Sequence, residues 1–247
     1  MNTLRLKLIN QIIDENYLNA SVLFFFGISF YNYSEKTLEQ VCQEKGLDVN
    51  VVVKKLESIA TAKPEENLSL DKYPIDLIIE YLKHTHHIFV KHKLPYVSRL
   101  ISSLDNSNLE KSLKDLKFIF PVFAEDFIKH IYEEEDTLFT YILTLNNCLT
   151  KKYNISKIYY AMEKHSIRDY ALQHSSDDEM KGIRDLTNNY TLTDPKDLHL
   201  KVIYGELKSF EFELKRHARI EDEILFPKAL NLENEVSNLF RNRILYN

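Results

Sequence analysis

Only four glycines, Gly27, Gly46, Gly182 and Gly205, occur in 247 residues, where average composition would supply roughly seventeen. Glycine provides the positive-φ positions of tight hairpins and lets backbone approach phosphate closely. Glycine-turned sheets, dinucleotide folds and phosphate loops therefore have almost nothing to be built from. Neither G-x-G-x-x-G nor G-x-x-x-x-G-K-[ST] is present, which leaves nucleotide chemistry close to excluded. A mostly helical chain remains.

The balance of 44% hydrophobic and 28% charged residues is that of a globular protein. The net charge of -5 is interspersed, without a run of five basic residues, so nucleic acid is not an expected partner. Cys42 and Cys148 form no C-x-x-C pattern, which gives neither a disulfide framework nor a zinc ribbon. The longest apolar run, Val22 to Ile28, is far short of the ~20 residues that cross a bilayer. MNTLRLKLINQIIDEN has no signal-peptide core, so no membrane association and a cytoplasmic location are expected.

Periodicity reads helical nearly throughout. Residues 1–62 form a small helical N-terminal domain: Leu4, Leu8, Ile9, Ile12 and Ile13 share a face, and Asn19 to Phe26 suits a short helix. Ser34 can cap a helix ended by Gly46, and Asp48 can cap the next. Polar residues 63–73 read as a linker. Residues 74–247 then carry four long helical patterns, about 74–103, 108–145, 154–188 and 195–231, with a short tail helix over 233–244. Their spacing predicts an all-α, up-down four-helix bundle. Pro121 either kinks the second helix or lies near its start.

Two segments repeat. His130-Ile-Tyr-Glu-Glu134-Glu-Asp-Thr-Leu-Phe139 and His217-Ala-Arg-Ile-Glu221-Asp-Glu-Ile-Leu-Phe226 share H-x-x-x-E-[ED]-[DE]-x-L-F. Four residues are about one helical turn, so each His and Glu can reach one centre. Their register matters more. One apolar stripe reads Phe120, Phe123, Phe127, His130, Glu134, Leu138; the other reads Phe210, Leu214, His217, Glu221, then Ile224 or Leu225. An unpaired carboxylate at a core position costs several kcal/mol, against a total stability of about 5–15 kcal/mol. Two such pairs facing each other point to a dinuclear metal site. Glu133, Glu135, Asp136, Asp222 and Glu223 fall off the stripes and read as solvated.

Each half should add a ligand from its first helix. The first helix offers His84, His86, His87 and His92; His87 shares a face with Val90, Leu94, Val97 and Ile101, whereas His86 shares one with Ile75, Ile79 and Leu82, and periodicity does not choose among them. On the third helix His165 is in register with Ile158, Met162 and Leu172. Several imidazoles with two carboxylates suit iron or manganese better than a closed four-ligand zinc site.

At these residues the chain resembles the Repair of Iron Centers family, di-iron proteins with a hemerythrin-like bundle behind a small helical domain. The resemblance rests on His-x6-Leu-Pro at His87 to Pro95, M-E-K-H at Met162 to His165, and the His217 to Pro227 end. It covers almost the whole chain and implies His87, His130, Glu134, His165, His217 and Glu221 as ligands of two iron ions, bridged by oxo and the two glutamates. It implies a role in repairing iron–sulfur clusters damaged by nitric oxide or oxidants, by supplying labile iron to the damaged proteins. Reversible oxygen or nitric oxide binding, or nitric oxide reduction, at the same centre are the alternatives. The family's adjacent cysteine pair is replaced here by Tyr31-Asn32-Tyr33-Ser34, which cannot supply a dithiol.

Overall fold

The computed structural model describes residues 3–60, 70–105, 110–150, 155–174, 178–194 and 196–245. Among these the chain is all-α, without a β-strand. It divides into two compact units, one of residues 1–67, 93–120 and 182–211, the other of residues 68–92, 121–181 and 212–247. Much of the linker expected at 63–73, and Pro195, lie outside the described residues.

The first unit begins with α1 (Ile9–Glu15) and α2 (Asn19–Phe25). Ile9, Ile12 and Ile13 of α1 are buried, as are Ala20, Val22 and Leu23 of α2. The next helix, α3 (Leu38–Lys45), is capped by Thr37, not by Ser34 as its sequence suggested. Thr37 and Gln40 exchange side chain-to-backbone bonds of 3.3 and 2.9 Å, a reciprocal capping box that Ser34 lies too far upstream to make. Gly46, at φ 66°, closes α3 in the left-handed conformation that glycine adopts without strain. Asp48 Oδ1 then accepts from the Asn50 amide at 2.8 Å as α4 (Val49–Ala60) starts.

Further helical pieces complete this unit, among them nearly all of α11 (Lys181–Leu186). α6 (Leu94–Ser102) follows α5 (Ile75–Ile88) after a five-residue π-helical turn, Phe89–Lys93. α7 (Lys111–Glu134) runs uninterrupted through Pro121, and α12 (Leu198–Ile220) likewise continues into the second unit. On α12 a methyl group at Gly205 would stand 2.7 Å from the Tyr17 ring, so only glycine permits that approach.

His199 of α12 stacks on Tyr31, ring centroids 4.8 Å apart at 7°, and its Nε2 lies 3.2 Å from the Leu100 carbonyl. Burial holds its pKa below 6.5, outweighing the carbonyl and Asp197, which raise it. Between that depressed value and the unfolded one near 6.5, the unfolded chain binds more protons. His199 therefore stabilises above about pH 6.5, and its contribution is lost as pH falls. Urea denaturation of His199→Phe should accordingly show a smaller loss of stability between pH 7 and pH 5 than the parent chain; an identical loss would contradict this origin.

The second unit holds α5, the C-terminal part of α7, α8 (Thr140–Thr150), α9 (Ile155–Lys164), α10 (Ile167–His174), the end of α12 and α13 (Phe226–Leu245). Its core joins Ile78, Ile79 and Leu82 to Phe139, Ile142 and Leu145, to Ile158 and Ile167, and to Leu225, Ala229 and Val236. Two more π-helical turns, Glu135–Phe139 and Glu221–Leu225, fall at the glutamates of the two repeats. Such widened turns concentrate at functional sites.

The third helical pattern is broken instead of continuous. Residues 165 and 166 are not helical, and Ser166 Oγ caps α10 by accepting from the Asp169 amide at 3.3 Å. The expected tail helix is the end of α13.

Candidate metal centre

Four side chains of the second unit converge: His86 of α5, Glu134 at the end of α7, His217 near the end of α12, and Glu221 at the start of the π-helical turn that follows it. One ligand atom from each lies within 4.8 Å of all the others. His86, His217 and Glu221 are 2%, 8% and 1% exposed. His86 Nε2 is 3.0 Å from His217 Nε2 and 3.5 Å from Glu134 Oε2, and His217 Nε2 is 3.1 Å from Glu221 Oε1.

Helix phase places them. Ile75, Ile78, Ile79, Leu82 and His86 form the buried stripe of α5, so His86 and not His87 faces inward. His87 is exposed, 5.9 Å ring to ring from His92. His165, in the break before α10, pairs with Tyr170: its Nδ1 lies 2.7 Å from the phenol oxygen. The restart of the helix at Ile167 turns a different histidine inward. His174, seven residues on, brings Nε2 to 2.9 Å from Glu221 Oε2. His130 is half-exposed, 3.7 Å from Glu179, and borders a cavity of about 410 Å³ with Glu134, Tyr170, Gln173, His174 and Phe226. The geometry thus gathers Glu134, His217 and Glu221 of the expected set together with His86, sets His174 beside Glu221, keeps His130 on the adjoining cavity, and leaves His87 and His165 apart from the group. The signal for His174 was present as S-x-x-D at Ser166 to Asp169, a helix start that resets the phase.

The electrostatics of this group are unbalanced. Burial, followed by the charge of Glu221, raises Glu134 well above the usual carboxylate range. Burial would also raise Glu221, but His217 and His174 overcome it and hold that carboxyl well below its ordinary value. His86 is pushed down to about 3, mainly by burial and then by His217, so its imidazole is neutral at pH 7. For His174 burial is again the largest influence and lowers the pKa, yet Glu221 and Asp222 together lift it to about 9.

Three observations test whether a metal fits. Glu134 Oε1 is buried without a hydrogen-bond partner, a cost that a cation beside the carboxylates removes. Two imidazoles bound side by side to one ion, each about 2.1 Å from it, stand about 3 Å apart, as His86 and His217 do. The donors are imidazole nitrogen and carboxylate oxygen, the set that suits iron and manganese. Aromatic rings close over them: Phe139 stacks on His86 at 5.6 Å, and Phe89 and Phe226 stand 5.8 and 5.5 Å from His217 and His174. The residues fit a metal.

No dithiol accompanies this group. Tyr31 is engaged in stacking on His199, and Cys42 is buried with a pKa raised by burial, Asp48 and Glu39, which keeps it a thiol. Among the described residues no helix is long and apolar enough to cross a membrane.

No protein-family profile matches the chain. Curated proteins do. It is 26% identical over 203 residues to a probable iron-sulfur cluster repair protein of Haemophilus influenzae, spanning 78% of this chain and 83% of that protein. It is 22% identical to iron-sulfur cluster repair protein YtfE of Musicola paradisiaca (84% of this chain, 89% of that one) and 23% identical to YtfE of Escherichia coli O81 (85% and 91%). Along about four fifths of its length the chain is similar to curated iron–sulfur cluster repair proteins, at low identity.

Proposed function

We propose that the chain holds two iron ions about Glu134 and Glu221 and helps repair damaged iron–sulfur clusters by supplying labile iron. The observation that carries this reading is the buried pair of carboxylates with His86 and His217 beside it, one ligand atom of each within 4.8 Å of the others. Two adjacent carboxylates in a dry site do not both ionise without a compensating cation. Glu134, Glu221, His86 and His217 would hold the iron, and His174 and His130, on the adjoining cavity, are placed to add to them. Bound iron would supply redox-dependent affinity, tight in one oxidation state and labile in the other. The chain's own part is to exclude water with Phe89, Phe139 and Phe226 and to present His86 as a neutral donor. The function of the named relatives supports the repair role, and the cavity beside Glu134 gives small ligands such as nitric oxide or oxygen a way in. The ligands all lie within residues 74–247, with residues 1–62 as a companion domain, and the reading places the protein in the cytoplasm.

Iron content tests this. Glu134→Ala and Glu221→Ala should each lose most bound iron, whereas Glu133→Ala and Glu223→Ala should keep about two ions per chain. Equal iron in all four variants would sink the proposal. Transfer of iron from the loaded parent protein to an apo iron–sulfur protein is the expected activity.

A further inference from the structure

We infer that Glu135 and Asp222, the acidic residues directly after the two repeat glutamates, are positioning residues that aim His86 and His174 at the metal centre. This rests on the two-metal reading above. Glu135 Oε1 is 2.9 Å from Nδ1 of His86, and Asp222 Oδ1 is 3.0 Å from Nδ1 of His174. In each case the opposite nitrogen, Nε2, faces the paired glutamates: His86 toward Glu134 at 3.5 Å, His174 toward Glu221 at 2.9 Å. The two arrangements are built alike. A repeat supplies the glutamate, its next residue supplies the acceptor, and the histidine comes from another helix.

Off-stripe acids usually make solvated pairs that contribute little, and Asp222 is 45% exposed. The recurrence of one offset in both repeats, on histidines whose other nitrogen points inward, distinguishes these two from Glu133 and Glu223. A carboxylate accepting from Nδ1–H fixes the tautomer that leaves the Nε2 lone pair toward the centre, orients the ring and raises its basicity. Asp136, one place further along, has no such histidine among the contacts of the described residues.

Titration of the full chain with Co(II), followed by visible absorption and equilibrium dialysis, tests the inference. Glu135→Gln and Asp222→Asn should each weaken Co(II) binding about 10–100-fold, move the absorption bands at saturating Co(II), and shift the pH midpoint of binding. Glu133→Gln and Glu223→Gln should match the parent. Glu135→Asp and Asp222→Glu, which retain the charge, should recover part of the lost affinity; this rescue separates positioning from a packing defect. Parent-like affinity, bands and pH midpoint in Glu135→Gln and Asp222→Asn would overturn the inference while leaving the metal centre standing. A parent chain that takes up no Co(II) would overturn both.

Discussion

Replacing His86 by alanine is expected to reduce bound iron to a small fraction of the parent level, while His87→Ala leaves it unchanged. The two neighbours are about 100° apart around α5, and only His86 continues the buried stripe of Ile75, Ile79 and Leu82. Its Nε2 is the atom that meets both His217 and Glu134. The same contrast is expected on the third helix, where His174→Ala should lower iron binding and His165→Ala should affect it little. His174 reaches Glu221, whereas His165 is held by the Tyr170 hydroxyl. Metal analysis of the four purified variants reads the outcome. Iron lost from His87→Ala and His165→Ala, but retained in the other two, would return the ligand set to the one implied by family resemblance.

Removing the Glu134 carboxylate should have opposite effects on stability with and without metal. In the presence of a chelator, Glu134→Leu is expected to be more stable than the parent by about 1–3 kcal/mol. Replacing a buried carboxyl that lacks its full set of hydrogen bonds by an apolar side chain of similar size is commonly neutral or stabilising. Glu134 suits the substitution because its Oε1 has no hydrogen-bond partner and burial already opposes its ionisation. With iron at a thousand times its dissociation constant, the parent gains about 4 kcal/mol per site by mass action. The variant, lacking that carboxylate, should gain far less, so the order reverses. Urea denaturation with and without Fe(II) under anaerobic conditions measures both arms. A variant less stable than the parent in chelator would mean that Glu134 supports the fold directly.

Much of this was readable because two physical constraints leave traces in sequence. Scarce glycine and a 3.6-residue apolar period exclude sheets and nucleotide loops, and among the described residues the regular elements are all helical, with no strand. Burying Glu134, His217 and Glu221 requires them on an apolar stripe, and both copies of the repeat carry them there. The limits have equally physical causes. Two faces of α5 were both apolar enough to accept a histidine, and only packing decides for His86. On the third helix a phase carried from Ile158 through His165 assumes continuity, which Ser166 ends by capping α10. The partnership of Glu135 and Asp222 with histidines on other helices is a tertiary contact, invisible to helical periodicity. The π-helical turns at Glu135 and Glu221 insert an extra residue per turn that a fixed 100° step does not anticipate.

The location of bound iron tests the central claim most directly. Crystals of the iron-loaded chain, measured at the iron absorption edge, should show two anomalous peaks per molecule between the carboxylates of Glu134 and Glu221, with His86 and His217 beside them. An iron-loaded crystal with no peak between those carboxylates, or with its iron bound at His87 or His165 instead, would contradict the account.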